Sequence, residues 1–117
     1  MIEQHYDSIE IKKYLNGREY LLSDNYNWIN EKNEEIAIAS MDAEYQLNCM
    51  NWLAICLANL AVESEDVKIE MKPLIIGKMG EFEDLFQLST KKESYALSCK
   101  EKYKKIKQKF NNNLLNL

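Results

Sequence analysis

The clearest pattern of apolar and polar positions lies in the middle of the chain. Apolar residues recur every three or four positions from residue 47 to residue 60, which is the period of a helix that buries one face. Just before them, Ser40 or Asp42 offers an N-cap, because a side-chain oxygen there accepts a backbone N–H that has no partner within the helix. The pattern predicts a helix from about Asp42 to Val62 in the centre of the core.

This predicted helix is apolar around most of its circumference. Its remaining polar stripe consists of Glu44 and the asparagines at positions 48, 51 and 59, which we expect to face water or to cap a strand edge. The stripe that we expect to be buried comprises Leu47, Met50, Leu53, Ala54, Leu57 and either Leu60 or Ala61, widened by Trp52, Ile55 and Cys56.

Two hairpins are predicted before this helix. Ile9 alternates with Ile11, Tyr20 alternates with Leu22, and the Asn-Gly pair at positions 16 and 17 between them suits a type I′ turn. A helix through the same segment would carry Gly17 in its interior, at a cost of about 1 kcal/mol against Ala. We therefore predict strands here.

The second hairpin is predicted from residues 26–30 and 35–39, which flank a polar turn at residues 31–33. Within its second strand, Ile36 and Ile38 lie on one face, and Ala37 and Ala39 lie on the other.

The last third of the chain has the period of helices. Apolar residues from Val67 to Phe86 recur at helical intervals, but Pro73 and the glycines at positions 77 and 80 predict a kink or an interruption, and a short strand at residues 67–71 stays open. An amphipathic helix is predicted from Lys91 to about Asn113, and the tail at residues 111–117 is expected to fray.

Together these elements predict one α+β domain over residues 1–117. Residues 1–40 would be rich in β structure, as a small antiparallel sheet packed on the central helix, and residues 41–117 would be mainly helical. A chain of 117 residues with 46% hydrophobic residues is long enough for one core and gives no reason to expect a second domain.

Charge is distributed unevenly along the chain. Residues 1–90 carry 7 Lys or Arg against 17 Asp or Glu, a balance of −10, whereas residues 91–117 carry 8 Lys against 2 Glu, a balance of +6. The sequence thus predicts an acidic body and a basic last helix. The lysines form either a solvated helix face or a contact with nucleic acid, with an acidic partner or with the acidic body of another copy.

The cysteines and the single histidine indicate no metal or disulfide framework. Cys49, Cys56 and Cys99 are odd in number and lack the CxxC spacing, and His5 stands apart from them. We expect free thiols and no bound metal. The chain begins without a signal-peptide pattern, and its longest apolar run is too short to span a bilayer, so we expect a cytoplasmic protein with no membrane contact.

Sequence motifs for catalysis are missing as well. There is no phosphate-binding glycine loop, no HExxH and no GxSxG, and the grouped carboxylates are typical of turns and helix starts. We therefore expect a protein that is not an enzyme and needs no cofactor.

Aromatic residues concentrate in the N-terminal part, and we expect Tyr26, Trp28, Glu34 and Glu35 to form an exposed protein-binding surface.

One run of residues carries a resemblance to a known class of proteins: Trp28, Glu34, Ile36, Ile38, Met41, Asp42, Tyr45, Leu47, Asn48, Cys49 and Leu53. The run, about a quarter of the chain, resembles small proteins encoded by bacteriophages and prophages of low-GC Gram-positive bacteria, in which a W-x-G-x-I-x-I hairpin leads into an M-D-x-x-x-L-x-N helix. Here residues 31–33 replace the turn glycine. The resemblance implies an accessory protein of a mobile element that acts by binding.

Three functions follow as hypotheses. The first is a phage-derived inhibitor of a host defence protein or ribonucleoprotein, for example an anti-CRISPR protein, whose acidic body mimics nucleic acid. The second is a nucleic-acid-associated phage regulator that binds through the last helix. The third is a sponge for signalling nucleotides with pockets between copies, as in a homodimer. The lysines proposed for the second function are Lys102, Lys104, Lys105 and Lys107.

Overall fold

Helices account for most of the fold. The computed structural model describes residues 8–90 and 96–117. In this part of the chain the fold is α+β but dominated by helices, with one antiparallel pair of strands near the N-terminus. In chain order the elements are α1 (Ile9–Leu15), a first 3-10 turn (Glu19–Leu22), β1 (Asn27–Ile29), β2 (Glu35–Ala37), a second 3-10 turn (Ile38–Ser40), α2 (Ala43–Leu60), α3 (Glu65–Thr90) and α4 (Ala96–Leu115).

The prediction of a central helix is confirmed. Asp42 is the N-cap of α2, where its Oδ1 accepts a hydrogen bond from the backbone N–H of Tyr45 at 2.8 Å. The stripe expected to be buried is buried at Leu47, Met50, Leu53, Ala54, Leu57 and Leu60. Trp52 differs from the expectation, because 57% of its side chain is exposed.

Asp42→Ala should lower the free energy of unfolding by about 1 kcal/mol, because the substitution leaves the N–H of Tyr45 without its acceptor. Urea denaturation checks this value. Ser40→Ala is the control, since the Ser40 hydroxyl donates to the Ala37 carbonyl outside α2. A larger loss from Ser40→Ala than from Asp42→Ala would show that the cap is assigned to the wrong residue.

The core forms where α2 packs against both α3 and α4. Helix α4 runs parallel to α2, because contacts between the two advance together along both helices. The pairs are Lys102 with Glu44 at 2.8 Å, Lys109 with Asn51 at 3.2 Å, and the Asn113 side chain with the Ala54 carbonyl at 2.8 Å. Phe86 of α3 stacks on Tyr103 of α4, with 5.2 Å between ring centroids.

Helix α3 is continuous from Glu65 to Thr90, so the predicted interruption and the strand alternative at residues 67–71 are both wrong. It contains Pro73 in its interior, in spite of a typical cost of about 3 kcal/mol. Burial of the apolar face of α3 outweighs that cost. The six buried side chains along this face are Val67, Met71, Ile75, Met79, Phe82 and Phe86.

The first predicted hairpin is wrong. Its first half is the helix α1, capped by Ser8, whose hydroxyl accepts from the N–H of Ile11 at 3.1 Å. Gly17 has a φ of 85° and lies just beyond the end of the helix, where glycine stops the helix. Asn16 before it has a φ of −63°, whereas a type I′ turn needs a positive φ at both positions. The expectation of a β-rich N-terminal part fails for this reason.

The second predicted hairpin is confirmed, though with shorter strands. Trp28 pairs with Ile36 in an antiparallel register, and β2 ends at Ala37. Ile38 is buried as expected but begins the second 3-10 turn.

At the other end of the chain, α4 extends to Leu115, and Leu114 and Leu117 pack against the core, so the expected fraying is wrong.

Candidate binding groove

An open groove of about 980 Å³ runs along the outer side of α2. One wall is the segment at residues 16–20, and the other is the β1–β2 hairpin at residues 28–31 and Asn33. We call it the Trp52 groove, after the most exposed aromatic residue among those that line it. The α2 residues in the groove are Tyr45, Asn48, Cys49, Trp52, Ile55, Cys56 and Asn59.

Helical spacing produces the α2 side of the groove. Steps of three and four residues place positions 45, 48, 52, 55 and 59 on one side of the helix. Trp52 is 57% exposed and Tyr45 is 37% exposed, and the two asparagines are exposed as well. Within the described residues, the Trp52 side chain makes no hydrogen bond or ring contact, so its indole is available to a ligand.

Two tyrosines fix the first wall to α2. The Tyr14 hydroxyl donates to the Cys56 carbonyl at 3.1 Å, and the Tyr20 hydroxyl lies 2.9 Å from the Cys56 sulfur. Burial raises the pKa of both phenols, so both stay neutral at physiological pH. The Arg18 guanidinium lies 4.3 Å from the centre of the Tyr14 ring and donates to the Tyr14 carbonyl at 2.8 Å.

The second wall is held by Trp28 and by a tight turn. Trp28 stacks on Tyr20 with 4.3 Å between ring centroids and meets Phe82 edge-on at 5.3 Å. In the turn, the Asn30 side-chain oxygen accepts the N–H groups of Lys32 and Glu34 at 3.0 and 2.9 Å. These contacts fix the hairpin against Tyr20 and against α3.

The hairpin end of the groove carries negative charge. Glu31 lines the groove, and Glu34 lies in the same turn. The pKa of the Tyr45 hydroxyl is raised, first by partial burial and then by Cys49 and by the charges of Glu31 and Glu34. The two carboxylates therefore act on the Tyr45 side of the groove.

The residues predicted to bind a protein do not form one exposed set. Trp28 is only 5% exposed, so the expectation that it lies on the surface is wrong: it fills the space between the hairpin and α3. Tyr26 is exposed but faces α3, where its hydroxyl donates to Asp84 at 3.1 Å. Glu34 and Glu35 are exposed on the hairpin and accept from Asn30 and Asn27.

The lysines of α4 are partly neutralised by the rest of the fold. Lys102 pairs with Glu44 of α2 at 2.8 Å, and Lys107 pairs with Glu83 of α3 at 2.9 Å. Lys104 and Lys105 are exposed. Charges that are separated along the sequence are thus brought together in space, because α4 packs against α2 and α3.

Buried thiols border the groove but do not supply a nucleophile. Cys49, Cys56 and Cys99 are free and buried. Burial raises the pKa of Cys49 to about 12 and also raises that of Cys56, so both thiols stay protonated at neutral pH. In residues 8–90 and 96–117, no group of three potential metal ligands comes together and no helix could cross a bilayer.

The groove residues themselves were missed at the sequence level. Trp52 and Ile55 have the spacing of a buried face, and the asparagines have the spacing of a solvated one. The useful signal was their combination, because Tyr45, Asn48, Trp52 and Asn59 alternate aromatic and amide side chains on one side of the helix. Aromatic and amide groups together suit a ligand that has both apolar and hydrogen-bonding groups.

Comparisons with protein-family models, with curated proteins and with solved structures give no match for this chain.

Proposed function

We propose that this protein acts by stoichiometric binding to a partner protein, through the Trp52 groove and the acidic hairpin beside it. The acidic hairpin comprises Glu31, Glu34 and Glu35, all exposed. In the setting implied by the resemblance to phage proteins, the protein is an inhibitor of a bacterial host defence protein or ribonucleoprotein, for example an anti-CRISPR protein.

The exposure of Trp52 is the observation that carries this proposal. A tryptophan brings a large apolar area and one hydrogen-bond donor at little conformational cost, and such residues dominate the energetics of protein interfaces. Most of the other large aromatic side chains in the described part of the chain are buried or packed against the core. Trp52 stands in a groove of about 980 Å³, which is large enough to admit side chains of another protein.

The acidic hairpin supports a partner with a basic surface. Its carboxylates lie beside the groove and are exposed, so they can attract a positively charged surface during encounter. Host proteins that bind nucleic acid carry such surfaces, and an acidic inhibitor can occupy them in place of phosphate groups.

The lysines of α4 support the nucleic-acid alternative less well. A phosphate would have to compete with Glu44 for Lys102 and with Glu83 for Lys107. Removing these pairs would weaken the contacts between α4 and its neighbours. Four other lysines of α4 stay exposed, at positions 100, 104, 105 and 109, but they belong to a molecule with a net charge of −4, which opposes the approach of a nucleic acid.

The nucleotide-sponge alternative would use the same groove. Aromatic rings and amides can stack on a base and hydrogen-bond to it, but the charged residues that line the groove are Glu19 and Glu31 against one cation, Arg18. Carboxylates at this position disfavour phosphate groups, so a nucleotide fits the groove less well than a protein with basic residues does.

Trp52→Glu should abolish capture of the partner from a lysate of a low-GC Gram-positive host, because a charge replaces the indole at the centre of the groove. The measurement is affinity capture by the tagged protein, with proteins identified by mass spectrometry and nucleic acid removed by nuclease. The folded fraction should not change, since most of the Trp52 side chain is exposed.

Ile69→Glu is the matched control for this experiment. Ile69 lies on α3 and is 64% exposed, so the variant places the same charge at an apolar position of similar exposure outside the groove. It should capture the partner as the wild type does. Equal capture by Trp52→Glu and by Ile69→Glu would show that the groove is not the binding surface.

A further inference from the structure

The Trp52 groove is electrostatically uneven along its length, and this indicates what it binds. Its two ends are set by the two walls. The segment at residues 16–20 lies beside Cys56, in the C-terminal half of α2, and the hairpin turn lies beside Tyr45 in the N-terminal half. Trp52 stands between them.

The charges at the C-terminal end are already engaged. Arg18 packs over Tyr14 and donates to its carbonyl, and Glu19 accepts from the N–H of Gly17 at 3.2 Å. The two neighbouring side chains also have opposite charges. This end therefore offers little net charge to a ligand.

The hairpin end differs because a carboxylate and an aromatic ring line it together. Glu31 lines the groove together with Tyr45, and Glu34 follows in the same turn, where it accepts from the side chain of Asn30, another groove residue. Lys32 belongs to this turn too and, like Glu34, is exposed and does not line the groove, so the turn has two carboxylates against one ammonium group. The balance of charge at this end is negative.

An aromatic face next to carboxylates is suited to a cation. The ring quadrupole of an indole or a phenol attracts a guanidinium or an ammonium group, and Trp attracts it best. The carboxylates can accept the N–H groups of the same cation. An anionic ligand would be repelled at this end. A purely apolar ligand would give the carboxylates and the Asn48 amide no hydrogen-bond partner.

We propose that the hairpin end of the Trp52 groove holds an arginine or lysine side chain of the partner protein, between the Trp52 and Tyr45 rings and the carboxylates of Glu31 and Glu34. This inference rests on the proposed function and names the chemistry of the partner segment that enters the groove. Asn48, exposed beside Trp52, is placed to hydrogen-bond to the backbone of that segment.

The test uses N-acetyl-arginine amide as the probe and N-acetyl-citrulline amide, its neutral analogue of the same shape, as the control ligand. The full chain is labelled with ¹⁵N, and the two indole N–H signals are followed by NMR during the titrations. Trp28 and Trp52 are the two tryptophans of the chain, and buried Trp28 serves as the internal reference. Trp52→Phe assigns the signals.

The arginine probe should shift the Trp52 signal and leave the Trp28 signal in place, and the citrulline probe should shift neither. The double variant Glu31→Gln, Glu34→Gln should bind the arginine probe several-fold more weakly. Glu101→Gln, an exposed charge on α4, is the control and should bind as the wild type does.

Equal shifts from both probes, or unchanged binding in the double variant, would overturn the inference about a cation. The proposed function has its own readout, since loss of capture by Trp52→Glu would stand in that case. If instead the arginine probe binds as expected and Trp52→Glu still captures the partner, the groove holds cations but the proposed protein-binding role fails.

Discussion

Leu53→Asp and Leu57→Asp should each unfold the protein. Both side chains are fully buried in α2. An aspartate there would lose its hydration, or would have to take up a proton, with no cation to pair with it, at a cost of several kcal/mol. Small domains have a total free energy of unfolding of about 5–15 kcal/mol, so most of the stability would be lost.

Circular dichroism during heating measures this effect. Ala58→Asp is the matched control, because Ala58 follows Leu57 in the same helix but is exposed. The control should keep a melting temperature within a few degrees of the wild type, whereas the two core variants should show no cooperative transition. A wild-type melting temperature for Leu53→Asp would contradict the position of α2 in the core.

Lys78→Met should lower the free energy of unfolding by about 3–5 kcal/mol. Lys78 is only 4% exposed, and its Nζ donates to the carbonyls of Asp24 and Asn27 and to Glu81. Methionine keeps the volume of the side chain but removes its charge, so the largely buried Glu81 carboxylate loses its ion-pair partner. The two carbonyls each lose one of two donors, since Asp24 still accepts from the N–H of Asn27 and Asn27 from the Ser23 hydroxyl. The Tyr26 N–H, which donates to Glu81 at 2.7 Å, compensates only in part.

Urea denaturation gives the value, and two further variants locate its cause. Adding Glu81→Gln to Lys78→Met should recover part of the loss, because the uncompensated charge is then removed. Lys68→Met is the control: Lys68 pairs with Glu65 at the same i,i+3 spacing, but Glu65 is 81% exposed and the loss should stay below about 1 kcal/mol. A loss that small for Lys78→Met would mean that Lys78 does not tie the hairpin to α3.

The sequence predicted α2 well because several signals agree there. Asp42 is a good cap, and a long apolar period follows it. The N-terminal segment was misread because Asn-Gly suits both a hairpin turn and the end of a helix. The φ of −63° at Asn16, which would be positive in a type I′ turn, and the packing of Tyr14 on α2 distinguish the two. In α3, the low helix propensity of Pro73 led to the wrong prediction of an interruption. The helix continues because burial of its apolar face outweighs the cost of the proline.

The groove could be predicted only in part. Exposure of an aromatic residue depends on which side of a helix its neighbours cover, and the sequence does not specify this. Trp52 was expected to be buried and Trp28 to be exposed, and the structure shows the reverse. Helices α3 and α4 cover the other sides of α2 and leave Trp52 exposed, whereas Trp28 of the hairpin packs inward on Phe82. The uneven charge along the chain likewise does not predict the surface, because Lys102 and Lys107 pair with acidic residues that are distant in sequence.

The most direct test of the protein-binding role measures how tightly the purified partner binds the wild type and the Trp52→Ala variant. Isothermal titration calorimetry gives the dissociation constant of each complex. A residue that dominates an interface contributes at least about 2 kcal/mol, so Trp52→Ala should weaken binding about 30-fold, with one partner bound per chain in the wild type. Lys104→Ala, at an exposed position on α4, should leave the constant within about twofold of the wild-type value. Unchanged binding by Trp52→Ala together with a large loss for Lys104→Ala would contradict the proposal and move the interface to α4.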